Sequence, residues 1–124
     1  MVKHKLTKKD AQAIAELHNA NGGCTWSLVA GDLQGQDGYV YGRHERAVVA
    51  LRQRWASAEL IQEAHEFLDY PLLVGTWFDK KKDRSIIEVL EFKLNKEIAL
   101  GEAMLMKCKF LWDLKKRKLI RVRS

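Results

Sequence analysis

Residues 72–92 decide the fold of this chain. They consist of the apolar run Leu72-Leu-Val-Gly-Thr-Trp-Phe78, the polar turn Asp79-Lys-Lys-Lys-Asp83 and a second apolar run, Ser85-Ile-Ile-Glu-Val-Leu-Glu-Phe92. β-Branched and aromatic residues favour strands, and a short polar segment between two such runs indicates a hairpin. The continuous apolar character of residues 72–78 is typical of a central strand buried on both faces. We therefore predict a sheet built around this hairpin.

Three helices are predicted around the hairpin, each starting after a residue whose side chain can cap free backbone N–H groups. They cover residues 8–19 after Thr7, about 58–68 after Ser57 and 96–107 after Asn95. In the third helix, Gly101 lies on the same side as Ile98 and Leu105. A glycine costs helix propensity, so we expect this side to pack closely against the sheet.

The remaining strands are predicted at residues 24–30, in a return strand that starts at residue 39 and continues over 46–51, and in a hairpin over 109–123. Residues 46–51 fit a strand or a helix, and we favour the strand. The order helix–strand–strand, repeated three times, predicts an α+β fold with a mainly antiparallel sheet of about six strands and three helices. At 124 residues we expect a single compact domain over 1–124, with a short flexible basic N-terminus of about residues 1–6.

The composition excludes several protein classes. With 47% hydrophobic and 31% charged residues, the chain is neither disordered nor membrane-embedded, and it lacks an apolar run of the ~18–20 residues that a membrane span needs. The basic N-terminus is not followed by the apolar stretch of a secretory signal. Cys24 and Cys108 fit no disulfide framework. We predict reduced thiols, a cytoplasmic location and no membrane partner.

The net charge of +6 is concentrated at the C-terminal end. Residues 115–124 hold six of the 22 Lys and Arg residues and no acid, which leaves 16 cations against 16 acids in residues 1–114. We name this set the basic hairpin: Lys115, Lys116, Arg117, Lys118, Arg121 and Arg123. Such clusters attract phosphate backbones by releasing counterions. We predict a binding protein that contacts nucleic acid or an acidic protein surface here. The alternative is a solvated turn whose charge protects the sheet edge.

Two other function classes stay open. Trp55, ahead of the second helix, is a candidate anchor for a homo-oligomer or protein-interaction adaptor. Trp26, Trp77 and Trp112 lie on predicted strands and are expected in the core. An enzyme would require Cys24 or a histidine to converge with Glu88 in a pocket. The sequence carries no signature for this, so we predict no catalytic residues.

The titratable residues complete the set of candidates. His4, His18, His44 and His65 have no metal-ligand spacing, so we predict no metal and no cofactor. We expect His44 and His65 to be partly exposed. Glu88 and Glu91 stand among apolar residues, and strand alternation places them on opposite faces of the sheet. At least one of the two is therefore expected to be buried and to need a partner.

Overall fold

The computed structural model describes residues 4–43 and 47–122. In this part of the chain, three helices and eight strands follow one another as α1 (Lys8–Asn21), β1 (Gly23–Ser27), β2 (Gly31–Asp32), β3 (Tyr39–Gly42), β4 (Val48–Leu51), α2 (Ala58–Phe67), β5 (Leu73–Asp79), β6 (Arg84–Lys93), α3 (Lys96–Leu105), β7 (Phe110–Asp113) and β8 (Lys118–Arg121). The predicted α+β class is confirmed. The first helix is followed by four short strands instead of two, which raises the strand count from about six to eight.

The eight strands form one curled antiparallel sheet. The order of neighbouring strands is β2-β1-β5-β6-β3-β7-β8, and β4 also pairs with β6. The predicted hairpin is β5–β6, with Val74 opposite Val89 and Asp79 opposite Arg84. β6 is long enough to pair with two strands on its other edge, because β4 occupies its first half and β3 its second half. This branching makes β6 the centre of the sheet.

β3 does not return alongside β1. The chain instead turns back at once into the two-residue strand β2, and Ser27 Oγ accepts hydrogen bonds from the Val29 and Ala30 amides in the turn. Residues 33–38 then carry the chain across the sheet, so that β3 pairs with β6 and β7. The strand favoured within residues 46–51 is present as β4, while Arg46 lies outside the described residues.

All three helices pack on one face of the sheet. Ile14 of α1 and Ile61 of α2 belong to a buried cluster with Ile87 of β6. Ala99 and Ala103 of α3 pack with Tyr41 and Leu111 of β3 and β7. The sheet residues of both clusters lie on the same face. Tyr41 is directly opposite Glu91, and Glu91 follows Ile87 by four residues on β6, an even number that keeps both side chains on one side of the strand. We call the other face, which carries no helix among the described residues, the open face.

The orientation of α3 differs from the prediction. Asn95 caps the helix as predicted, since its side chain accepts from the Ile98 amide. The helix, however, turns Ala99 and Ala103 toward the sheet, because their small side chains let it approach Tyr41 closely. Leu105 is 78% exposed, and a Cβ atom at Gly101 would meet nothing within 4 Å. The expected close packing at Gly101 was therefore wrong.

The segment after α2 buries a histidine that we expected to be partly exposed. His65 is buried, and its Nε2 atom lies 2.8 Å from the carbonyl oxygen of Pro71. The chain curls back over this histidine because Asp69 and Tyr70 both adopt positive φ angles, of 63° and 57°. The rings of His65 and Tyr70 meet edge to face, with centroids 5.8 Å apart. The helix thus ends at Phe67, and the two left-handed residues turn the chain so that the Pro71 carbonyl group reaches His65.

Candidate functional site

A cavity of about 890 Å³ lies against the open face of the sheet and reaches the C-terminal end of α1 and the segment between α3 and β7. At one end of this face, Leu33 and Leu114 cover Val40 and Leu90. The face beyond this cluster is left open and forms the cavity, and Val40 and Leu90 lie at the boundary between the two. Residues of all eight strands line the cavity, and those on the open face include Val40, Gly42, Gly75, Trp77, Glu88, Leu90, Phe110, Trp112 and Leu119.

The cavity walls are aromatic and apolar, and they are accessible. Trp77 is 44% exposed, Phe110 is 49% exposed and Leu119 is 58% exposed. The expectation that Trp77 belongs to the core was wrong, because this residue lies on a central strand but on the open face. Trp112 is fixed in place, since its Nε1–H donates to Gln34 Oε1 at 3.0 Å. Contiguous exposed apolar surface of this kind marks binding sites.

Two glycines give the cavity its depth. Gly75 lies directly opposite Glu88 in the sheet register, where any side chain would project into the cavity. A Cβ atom there would approach Leu90 Cδ1 to 2.6 Å, and a Cβ atom at Gly42 would lie 3.2 Å from Glu88 Oε2. The absence of both side chains therefore leaves space around the Glu88 carboxyl group.

Glu88 is the polar group in the floor of the cavity. Burial raises the pKa of its carboxyl group from 4.5 to about 7. Within the described residues, no hydrogen bond or ion pair reaches this carboxyl group. Glu91 is on the opposite face and forms an ion pair with Arg43, at 3.2 Å. Both glutamates are half-buried rather than fully buried, and the expected partner is present for Glu91 but not, among the described side chains, for Glu88.

Three cationic side chains line the cavity, but none of them pairs with the Glu88 carboxylate. Lys107, Lys109 and Arg117 line it, and all three are exposed. The cause of the raised Glu88 pKa is burial, whereas a close cation would lower that pKa. The positive charges therefore lie at the mouth of the cavity, where water screens them.

The two cysteines are poorly suited to act as nucleophiles. Cys24 is buried, and burial together with the charge of Asp32 raises its pKa to about 12. Cys108 lies 3.2 Å from the Gly42 carbonyl oxygen, and burial and the charge of Glu88 raise its pKa as well. Both are free thiols. Because the thiolate is the reactive form, neither side chain has the activation that nucleophilic catalysis needs.

His18 and Glu88 do not converge. His18 is buried on the helix-covered face, where Nδ1 lies 2.8 Å from Thr76 Oγ1 and Nε2 lies 3.1 Å from the Arg54 carbonyl oxygen. A carbonyl oxygen only accepts, so Nε2 carries the proton and Nδ1 accepts from the threonine hydroxyl. Burial lowers the pKa of His18 and keeps the ring neutral. This histidine connects α1 to the sheet. His44 lies outside the described residues, and His4 is exposed.

The described part of the basic hairpin is exposed and largely unpaired. Lys115 Nζ lies 3.3 Å from Asp37 Oδ1, but both side chains are exposed and such pairs contribute little. No described carboxylate pairs with the other described members, which are Lys116, Arg117, Lys118 and Arg121. Arg121 lies opposite Phe110 in the register of β7 and β8. Arg123 lies outside the described residues.

Trp55 is exposed and lies between β4 and α2, outside the basic hairpin and the cavity lining. The Arg54 guanidinium group stacks 4.7 Å from the centroid of its ring. A role for Trp55 as the anchor of a homo-oligomer or adaptor interface stays a prediction.

Comparisons with protein-family models, curated proteins and solved structures found no match. Among the described residues, no group of three or more His, Cys, Asp or Glu side chains could hold a metal ion. None of the helices in residues 4–43 and 47–122 has the length and apolar character required to span a bilayer.

The sequence offered one signal for the cavity. In a tight hairpin the register follows from the turn, and the turn at residues 79–83 places Gly75 opposite Glu88. A glycine facing a carboxylate inside two apolar strands indicates an unfilled polar position in the sheet. The cavity also extends over β3, β7 and β8. That part depends on the pairing of strands that are distant in sequence, which the local pattern of the hairpin does not predict.

Proposed function

We propose that this protein binds a small ligand with an apolar or aromatic body in the cavity of the open face. The observation that carries the proposal is the combination of volume and lining. Small-molecule sites usually enclose about 300–1,000 Å³, with mostly apolar walls and a few polar groups that orient the ligand. Here the walls include Trp77, Phe110 and Leu119, and Glu88 is a half-buried polar group among them.

The exposed apolar walls can gain free energy when a ligand covers them. Removing apolar surface from water contributes about 25 cal/mol per Å², so each 100 Å² that a ligand covers is worth about 2.5 kcal/mol. Trp77 and Phe110 are each roughly half exposed, so a ligand in the cavity would cover apolar surface that water now contacts. Ligand binding would therefore remove from water apolar surface that the unliganded protein leaves exposed.

A fluorescent apolar probe tests this proposal. N-phenyl-1-naphthylamine should increase in fluorescence when it enters the cavity. Leu119→Ser removes an exposed wall residue, and we expect it to weaken binding about tenfold, which is about 1.4 kcal/mol. Leu105→Ser is the matched control, because Leu105 is also exposed but lies on α3 away from the cavity. Absence of binding, or equal weakening by the two variants, would contradict the proposal.

A second candidate function concerns the basic hairpin, which we propose as a contact for single-stranded nucleic acid or for an acidic protein. The supporting observation is that Phe110 is half exposed directly opposite Arg121. Exposed aromatic rings stack on bases, while nearby cations bind the phosphates. Arg117 and Leu119 line the same cavity, so such a partner would share one edge of it.

Charge reversal separates this function from simple solvation of the turn. The double variant Lys116→Glu, Arg121→Glu should weaken binding of a generic oligonucleotide and reduce its salt dependence. Lys81→Glu, Lys82→Glu is the matched control, because it reverses the same charge in the other lysine turn, between β5 and β6. Equal affinity of the two double variants would remove nucleic acid as the partner. In that case, the affinities of the same two double variants for an acidic protein would be compared.

A further inference from the structure

We infer that the ligand of the cavity carries a protonated amine, which forms an ion pair with the Glu88 carboxylate. This inference rests on the proposed function, because it names the class of ligand that the cavity would take. It is carried by the position of Glu88: a carboxylate in the floor of an aromatic cavity, with glycines beside it and no partner among the described side chains.

The ionised Glu88 carboxylate is destabilised when it has no partner. A charged group removed from water is destabilising unless it is paired. The described neighbours leave it unpaired: Gly75 opposite it has no side chain, and Val48 on its other side is apolar. An ammonium group on a ligand would supply both the opposite charge and N–H donors. The same pairing is not available to a carboxylate-bearing ligand, which Glu88 would repel.

The aromatic walls of the cavity also favour a cation. Aromatic rings attract cations through the negative potential of their faces, most strongly when water is excluded. Trp77 lies two residues from Gly75 on the same face of β5 and therefore beside Glu88. Phe110 and Trp112 contribute the aromatic side chains of β7. A ligand that joins an apolar body to an amine would use both the aromatic walls and the carboxylate.

The other charged and titratable groups around the cavity do not replace such a ligand. Lys107, Lys109 and Arg117 are exposed at the mouth. Asp32 is also exposed, and its Oδ1 accepts from the Gln34 amide at 3.0 Å. The remaining titratable groups are Cys24, Tyr41 and Cys108, whose raised pKa values keep them neutral. Of the two carboxylates among the described lining residues, Asp32 is exposed and Glu88 is half-buried.

Pairing with an amine makes binding depend on pH. The amine pairs with the ionised form of Glu88, whose pKa of about 7 leaves a minority ionised in mild acid. Between about pH 5.5 and pH 8 the ionised fraction rises roughly 30-fold. The affinity for the amine should increase by a similar factor. A neutral ligand that accepts a hydrogen bond from protonated Glu88 would show the opposite trend.

Three probes with one aromatic body test the inference: 1-naphthylmethylamine, whose amine stays protonated over this range, 1-naphthylmethanol and 1-naphthylacetate. Binding is measured by calorimetry at about pH 8, and for the amine also at about pH 5.5. We expect the amine to bind at least about tenfold more tightly than the alcohol, and the acetate to bind most weakly. Glu88→Gln should abolish the preference for the amine and its pH dependence, while the affinity for the alcohol is retained. Glu91→Gln, on the opposite face, is the matched control and should leave both unchanged.

The outcomes separate the inference from the function on which it rests. If the alcohol or the acetate binds as tightly as the amine, the cavity is a ligand site but the inference is overturned. The same conclusion follows if Glu88→Gln keeps the preference for the amine. If none of the three probes binds at millimolar concentration, the proposed function and the inference both fail.

Discussion

The substitution Glu88→Gln should stabilise the unliganded protein above neutral pH. In the folded state, burial raises the pKa of this carboxyl group from 4.5 to about 7. The folded protein therefore holds the Glu88 proton over a pH range in which the unfolded chain has already lost it. Because the folded state binds more protons, the free energy of unfolding should fall as the pH rises from about 4.5 to about 7.

The size of the effect follows from the same shift. One pKa unit corresponds to 1.36 kcal/mol, so the displacement from 4.5 to about 7 corresponds to about 3 kcal/mol at pH 8 and above. Glutamine has the shape of the protonated side chain and cannot ionise. At about pH 4.5 the variant and the wild type should be nearly equally stable, and the variant should become about 3 kcal/mol more stable by about pH 8. A domain has a total stability of about 5–15 kcal/mol, so this difference is large.

Urea unfolding at several pH values provides the assay, with the difference between variant and wild type as the quantity of interest. The difference is needed because His18 and His65 act in the opposite direction. Burial lowers the pKa of both histidines, so acid below pH 6.5 destabilises the wild type and the variant alike. Glu91→Gln removes an exposed carboxylate from the same strand, and its stability curve should run parallel to that of the wild type. A Glu88→Gln curve that also runs parallel would refute the burial of Glu88.

Three further predictions test the fold. Gly38→Ala should destabilise the protein by about 2 kcal/mol or more in urea unfolding, because φ is 136° there and a Cβ atom would overlap the Phe92 ring; unchanged stability would contradict this. Ala103→Leu should lower the free energy of unfolding by about 1–3 kcal/mol, because Ala103 is fully buried. Leu105→Ser, on the other side of α3, should change it by about 0.5 kcal/mol or less. Equal effects of the two substitutions would contradict the orientation of the helix. Nuclear magnetic resonance titration of the His18 ring should give a midpoint below 6.5, and a midpoint at or above this value would contradict its burial.

The parts of the fold that could be predicted are those with local causes. Thr7, Ser57 and Asn95 each cap the helix that the sequence placed after them, because a cap joins residues only three positions apart. The β5–β6 hairpin is equally local, since a short polar turn aligns two adjacent apolar runs. The orientation of α3 was missed because both sides of this helix carry apolar residues. Only contact with Tyr41 decides that Ala99 and Ala103 face inward.

The candidate sites divide in the same way. The basic hairpin is visible in the sequence because its charges are neighbours along the chain. The cavity is not, because its walls come from strands that are distant in sequence. Trp77 illustrates the difference: its place on a strand was predicted, but the side of the sheet to which it points follows from the register and from where the helices pack.

The amino-acid sequence by itself determined the α+β class, the starts of the three helices, the central hairpin and the concentration of charge at residues 115–123. These features depend on side chains that interact within a few residues of one another. Only the tertiary structure decided that all three helices pack on one face, and that Glu88 lies within a cavity on the other. The reason is physical: a long β6 can pair with β3 or β4 only after the chain has closed long loops, and these pairings curl the sheet around the space that Gly42 and Gly75 leave unfilled.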